Sequence, residues 1–140
     1  MKRLRTYAGL GTLALALSLG ACQSTPGSAT KEIQTYRGQD MVVALLNEKG
    51  ELAMGQNRFI IAFRSAATNQ PVDAGTVTVG SSMSMPGMTP MTASLEIEPT
   101  GTTGQYVLKG GFGMSGSWKF DVSWDGPAGR GTTSFHVSVR

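Results

Sequence analysis

The chain is 140 residues long, and twelve Lys and Arg residues against nine Asp and Glu residues give it a formal net charge of +3. Three of the basic residues, Lys2, Arg3 and Arg5, lie in an N-terminal segment that we expect to be removed, so the remaining chain is balanced in charge. Because no basic cluster is left, we exclude nucleic acid as a partner. The single cysteine excludes an intramolecular disulfide, and the length suits one domain of roughly 100 residues.

The N-terminus has the organisation of a secretion signal. Basic residues come first, and an apolar run from Tyr7 to Leu19 follows, which has the length of a signal h-region. This run is too short, and too interrupted by glycine, to span a bilayer stably. We therefore predict that residues 1–21 are a signal peptide.

The end of this segment reads "LGAC", Leu19 to Cys22, and resembles the lipobox of bacterial lipoproteins. The resemblance implies that Cys22 is acylated, becomes the first residue and anchors the chain in membrane lipid, because two or more acyl chains hold a protein stably. Gln23 follows in place of aspartate, which in such lipoproteins implies the outer membrane, facing the periplasm. The alternative is a stray thiol within a signal peptide.

The stretch from Gln23 to about Thr35 is polar, contains Pro26 and Gly27, and lacks apolar periodicity, which is typical of a tether. We assign residues 22–38 to the lipidated cysteine and its flexible tether, and residues 39–140 to the folded domain.

Within the domain, apolar residues recur at every second position in short segments separated by turn residues, and no segment shows helical periodicity over more than a turn or two. In the clearest segment, Trp118, Phe120, Val122 and Trp124 share one face. The predicted strands are 41–47, 57–65, 76–80, 92–98, 106–112, 118–124 and 133–139. This pattern predicts an all-β fold, an immunoglobulin-like β-sandwich of about seven antiparallel strands.

An ordered set of short motifs runs along the domain: "GQN" at 55–57, "NQPV" at 69–72, "SMPGM" at 84–88, "GQY" at 104–106 and "MSGSWKFDV" at 114–122. Together they resemble the YtkA-like domain, which is related to the FixH-like proteins. The resemblance implies a β-sandwich, attachment to the cell envelope and an association with copper handling. It also implies that a metal-efflux adaptor or an oxidase assembly factor is the partner.

Four methionines lie within nine residues in "MSMPGMTPM", from Met83 to Met91. Thioether sulfur is neutral, soft and polarisable, so it favours Cu(I) or Ag(I) and needs no deprotonation to bind. A turn at Pro86 and Gly87 would fold the chain back on itself. The predicted metal ligands are Met83, Met85, Met88, Met91 and, as a remote ligand from another loop, Met114.

The alternative is that these methionines form packing or an adaptable hydrophobic surface, which would make the protein a metal-free interaction module that docks an envelope complex. Met114 in particular could pack against Trp118. Met41 and Met54 are given no metal role. His136 is predicted to be exposed on its strand, with a role as an auxiliary Cu(II) ligand as the alternative.

The sequence holds no arrangement typical of an enzyme. The only histidine stands alone on its strand, and the only cysteine is the predicted anchor, so a nucleophilic triad cannot be assembled. Glu96 and Glu98 lie two apart on one strand face and are predicted to be solvated. We therefore predict a non-enzymatic lipoprotein that binds Cu(I) or Ag(I) through its methionine-rich loop.

Overall fold

The computed structural model describes residues 30–140, so the predicted signal peptide and Cys22 lie outside the described residues. Within these described residues, nine strands form two sheets. The strands are β1 (Lys31–Arg37), β2 (Met41–Asn47), β3 (Gly55–Ser65), β4 (Thr76–Met83), β5 (Met91–Ala93), β6 (Leu95–Pro99), β7 (Gln105–Phe112), β8 (Gly116–Gly126) and β9 (Gly129–Val139).

One sheet has five strands in the order β1-β2-β3-β7-β6, and the other has four in the order β5-β4-β8-β9. All neighbouring strands are antiparallel. The inner faces of the two sheets pack on each other, which confirms the predicted all-β sandwich. Residues 30–140 contain no helix with the length and apolar character that a membrane span requires.

The core is built by the alternation that the sequence shows most clearly in β8. Trp118, Phe120 and Val122 are fully buried, and the intervening residues face outward. Phe120 stacks on Phe135 of β9 at a centroid distance of 6.2 Å and meets Phe59 of the opposite sheet edge-on at 6.0 Å. The aromatic side chains therefore join the two sheets.

The strand prediction needs one correction in the segment 92–98, which was predicted as a single strand. β5 pairs with β4 in the four-stranded sheet, whereas β6 pairs with β7 in the five-stranded sheet. The chain crosses between the sheets at Ser94 without breaking its alternation, since Ala93, Leu95 and Ile97 all pack against the core. Period-two spacing reports which face is buried but not which strand is adjacent, and so the sequence could not show the crossing.

The predicted tether is also wrong in its second half, because Lys31–Arg37 forms β1 and pairs along β2. This strand lies at the edge of its sheet, and only Ile33 packs against the core. Edge strands are often polar and charged, so their sequences resemble linkers. The sandwich therefore begins at residue 31 and not at residue 39.

Candidate functional site

The predicted methionine ligands gather at one end of the sandwich, where β4 ends, β5 begins and β7 connects to β8. We call this end, with Met83, Met85, Met88, Met91 and Met114, the methionine end. The β8–β9 hairpin at Gly126–Gly129 lies at the opposite end. Antiparallel pairing brings these segments together, because β4 runs opposite to both β5 and β8.

Met83 and Met91 face each other across the β4–β5 ladder, as the last and first residues of their strands. Residues directly opposite in an antiparallel pair have Cβ atoms about 4.5–5.5 Å apart, so the two side chains are neighbours. Both are half-buried and pack against the hydrophobic core. The core therefore holds both thioethers in position at the rim of the sandwich.

Between these two residues the chain makes the predicted tight turn. The Met88 amide donates a hydrogen bond to the Met85 carbonyl oxygen at 3.2 Å, and Gly87 has a φ of 73°. Proline followed by a residue of positive φ is the sequence of a type II turn, so Pro86 and Gly87 reverse the chain here. Met85 is half-buried, whereas the side chain of Met88 is 67% exposed at the turn.

Met114 lies in the connection between β7 and β8. A side chain of the core is hydrogen-bonded to the backbone of this connection. The indole Nε1 of the fully buried Trp118 donates a hydrogen bond to the Met114 carbonyl oxygen at 3.0 Å. Phe112 packs against Trp118 with ring centroids 5.1 Å apart. The Met114 side chain is 42% exposed, so this residue contacts Trp118 through its carbonyl and keeps its thioether near solvent.

The two glycines that flank this connection are where Met83 and Met91 approach it. A Cβ added to Gly116 would lie 2.5 Å from Met83 Cε and 3.5 Å from Met83 Sδ, and one added to Gly113 would lie 3.6 Å from Met91 Sδ. Met83 and Met91 therefore touch the connection on either side of Met114. The sequence could not show these contacts, although the glycines in "GMSG" give the only signal of a close approach.

The sequence profile of the YtkA-like family matches residues 36–123, which is more than half of the chain. The chain belongs to the YtkA-like family. A comparison with curated proteins finds no match.

Among solved structures, the YtkA-like chain is similar to a crystal structure of a DUF4426 family protein from Pseudomonas aeruginosa PAO1. The two share 14% sequence identity with a TM-score of 0.49, over 75% of this chain and 94% of the other.

The match to the YtkA-like family runs from the end of β1 into β8 and includes all five residues of the methionine end. β9, with His136, lies beyond it. His136 is exposed on the outer face of the four-stranded sheet, opposite Lys119, while its neighbours Phe135 and Val137 face the core. The structure therefore places this imidazole on the face opposite to Met83, whose side chain packs inward.

Harder donors are distributed over the surface of the YtkA-like domain. Among residues 30–140, no three side chains of His, Cys, Asp or Glu come close enough together to hold a metal ion. The hydroxyl of Ser134 donates a hydrogen bond to Asp121, and together with Lys119 it lowers the pKa of that carboxyl group. A hydrogen bond from Lys109 likewise lowers the pKa of Glu98. Sulfur is thus the donor that the methionine end concentrates.

Two surface concavities of about 490 and 410 Å³ lie away from the methionine end. Both are lined by Trp124 and Arg130, and Met41 lines the smaller one. These residues belong to the end with the β8–β9 hairpin, so none of the predicted methionine ligands faces either concavity. The candidate site therefore lies outside both concavities, at the rim of the sandwich.

Proposed function

We propose that this protein is a periplasmic lipoprotein that binds Cu(I) or Ag(I) through its methionine end and acts in copper handling by sequestration, chaperoning or efflux. One observation carries the proposal. Met83 and Met91 face each other across the β4–β5 ladder and both touch the connection that carries Met114. Two paired thioethers thus lie beside the connection from which the third, that of Met114, extends, and this neighbourhood supports the proposal.

The chemistry of the donors favours soft, monovalent ions. Thioethers have no charge to neutralise a hard cation, but their polarisable lone pairs suit Cu(I) and Ag(I). Cu(I) and Ag(I) are d¹⁰ ions that accept a low coordination number, so two or three sulfurs can hold one ion. Protons do not compete for these ligands. Affinity at this end should therefore change little between neutral and mildly acidic pH.

Burial divides the methionines into two groups with different roles. Met83, Met85 and Met91 are half-buried, so they lose little freedom when they bind an ion. Met88 and Met114 are more exposed, and we assign to them the capture and release of the ion. An exposed thioether can bring the ion to a ligand of the partner protein before the inner sulfurs release it.

The remaining parts of the proposal rest on the sequence. Acylated Cys22 would attach the domain to membrane lipid, with the outer membrane as its place. The polar residues before β1 would give the sandwich some reach into the periplasm. The partner class would be an efflux adaptor or an oxidase assembly factor, and the protein would act without catalysis.

A second candidate is a metal-free interaction module that docks an envelope complex through the same residues. The exposure of Met88 and Met114, at 67% and 42%, favours it, because large apolar side chains at a surface often mark a contact site. Methionine is flexible enough to adapt to different partner surfaces.

An anaerobic Cu(I) titration against a chromophoric competitor separates the two candidates. The protein would start at residue 23, after the predicted anchor, and a variant would carry leucine in place of Met83, Met85, Met88 and Met91. Leucine keeps the apolar bulk and removes the sulfur, so it costs little stability. His136→Ala serves as a matched control, because it removes the one imidazole from the opposite face.

We expect the parent and His136→Ala to bind one ion tightly and the leucine variant to lose it, with similar melting temperatures for all three. If neither the parent nor any variant binds Cu(I), the soft-metal function is refuted and the interaction module takes its place. Loss of binding in His136→Ala alone would move the site to the outer face of the sheet.

A further inference from the structure

Met54 lies at the methionine end, although it is 29 residues away from Met83 in the chain. It immediately precedes β3, whose first residue Gly55 pairs with Phe112 at the end of β7. The Met54 amide donates a hydrogen bond to the carbonyl oxygen of Arg140 at 2.8 Å. Residue 140 follows Val139, which pairs with Gly116.

These contacts place Met54 beside the connection that carries Met114. One flank of that connection, Phe112, is paired with the residue after Met54, and the other flank, Gly116, is paired with the residue before Arg140. Met54 directly precedes the last pair of the β3–β7 ladder, Gly55 and Phe112, and Phe112 is followed by Gly113, the glycine that Met91 approaches.

The backbone around Met54 is held in one conformation by a side chain. Asn57 donates hydrogen bonds to the carbonyl oxygens of Ala53 at 2.7 Å and Gly55 at 2.8 Å, and its own oxygen accepts from the Ala53 amide at 3.1 Å. Gly55 takes a φ of 87°, which favours glycine. This clamp turns the Met54 side chain away from the core, and it is 58% exposed.

The exposed large apolar side chains are concentrated at the methionine end. Among the described residues, the exposed large hydrophobic side chains are Tyr36, Met54, Met88 and Met114. Three of these four are methionines, and all three lie at the methionine end. Met41, by contrast, is buried at the other end, where it pairs with Ser65.

We propose that Met54 is a further ligand of the soft-metal site, beside the connection that carries Met114. The inference rests on the proposed function and deepens it, since the site would then draw its sulfurs from three separate connections of the sandwich. Met54, Met88 and Met114 would form the outer, solvent-facing ligands, and Met83, Met85 and Met91 the inner ones.

The test follows the methionine methyl groups of the full chain, labelled with ¹³C and solubilised in detergent, during titration with Ag(I). Ag(I) is diamagnetic and stable to oxidation, so each thioether that binds it shifts its own methyl resonance. Resonances are assigned by single methionine-to-leucine variants. Met54→Leu is compared with Met41→Leu, which removes a sulfur that lies far from the site.

We expect the Met54 methyl to shift together with those of Met83, Met91 and Met114, while the Met41 methyl stays in place. Loss of one ligand should weaken Ag(I) binding by about tenfold in Met54→Leu, a difference of ~1.4 kcal/mol, and leave Met41→Leu unchanged. Equal melting temperatures would show that both variants are folded.

Two results would overturn the inference, and they differ. If the loop methyls shift while the Met54 methyl does not, and Met54→Leu binds Ag(I) like the parent, Met54 is not a ligand although the proposed function stands. If no methyl shifts at all, the proposed function fails and the role of Met54 fails with it.

Discussion

Replacing Gly116 by alanine tests how closely β8 and the Met83 side chain approach each other. Gly116 has a φ of 138°, a conformation that side chains other than glycine rarely adopt. Holding alanine there costs about 1–3 kcal/mol of backbone strain. The new Cβ would also lie 2.5 Å from Met83 Cε, so the methionine side chain must swing away from the connection.

These two effects have different readouts. For a domain of this size, 1 kcal/mol corresponds to a shift of roughly 4 °C, so thermal unfolding of Gly116→Ala should occur about 4–12 °C below the parent. The displaced Met83 should weaken Cu(I) binding at temperatures where the variant is fully folded. Circular dichroism gives the first quantity, and competitor titration gives the second.

Gly113→Ala is the matched control in the same connection. Gly113 does not have a positive φ, and its added Cβ would lie 3.6 Å from Met91 Sδ, an ordinary van der Waals separation. We expect a change in stability within about 0.5 kcal/mol, as for an ordinary surface substitution. Equal melting temperatures for the parent and Gly116→Ala, or equal losses in the two variants, would refute the reasoning.

Trp118→Phe removes the hydrogen bond to the Met114 carbonyl and part of a buried ring, so we expect stability to fall by about 1–3 kcal/mol and amide hydrogen exchange at residues 113–116 to become faster. Unchanged exchange would mean that this hydrogen bond does not hold the connection between β7 and β8 in place. Asp121→Asn removes a carboxyl group whose pKa is lowered by its hydrogen bond from Ser134. A lowered folded-state pKa stabilises the protein above the unfolded-state value, near 3.8, and this stabilisation is lost as pH falls through the folded-state value. Urea titrations from pH 7 to 2 should therefore show the free energies of unfolding of the parent and the variant converging in acid. A difference that stays constant with pH would contradict a lowered pKa of Asp121. Deleting residues 1–38 removes Lys31–Arg37 and should lower the urea midpoint relative to a chain beginning at residue 30, whereas equal midpoints would mean that β1 adds no stability.

Much of the fold could be predicted from the sequence because burial in a sandwich follows side-chain alternation. Segments such as 118–124 report their inner face directly, and their burial matches the prediction. The polar β1 and the crossing at Ser94 could not be predicted in this way. An edge strand is stabilised by backbone pairing and not by an apolar face, and a crossing chain keeps the same alternation in both sheets.

The methionine cluster could likewise be predicted only in part. Four of its members, including Met85 and Met88, and the turn between them could be predicted because they are local in sequence and because proline and glycine set the turn geometry. The contacts of Met83 and Met91 with the glycines around Met114 depend on how β4, β5 and β8 are ordered. No short motif carries that order.

By itself, the sequence determined the chemistry of this protein: one cysteine, soft thioethers concentrated in a turn, and alternating apolar residues that form a sandwich. The tertiary structure decided that Met83 faces Met91, and it brought Met54 to the same end of the sandwich while leaving Met41 at the far end. The physical reason is that side-chain type and local periodicity are properties of the chain. Proximity between distant segments follows from the register and order of the strands, which the packing of the whole core determines.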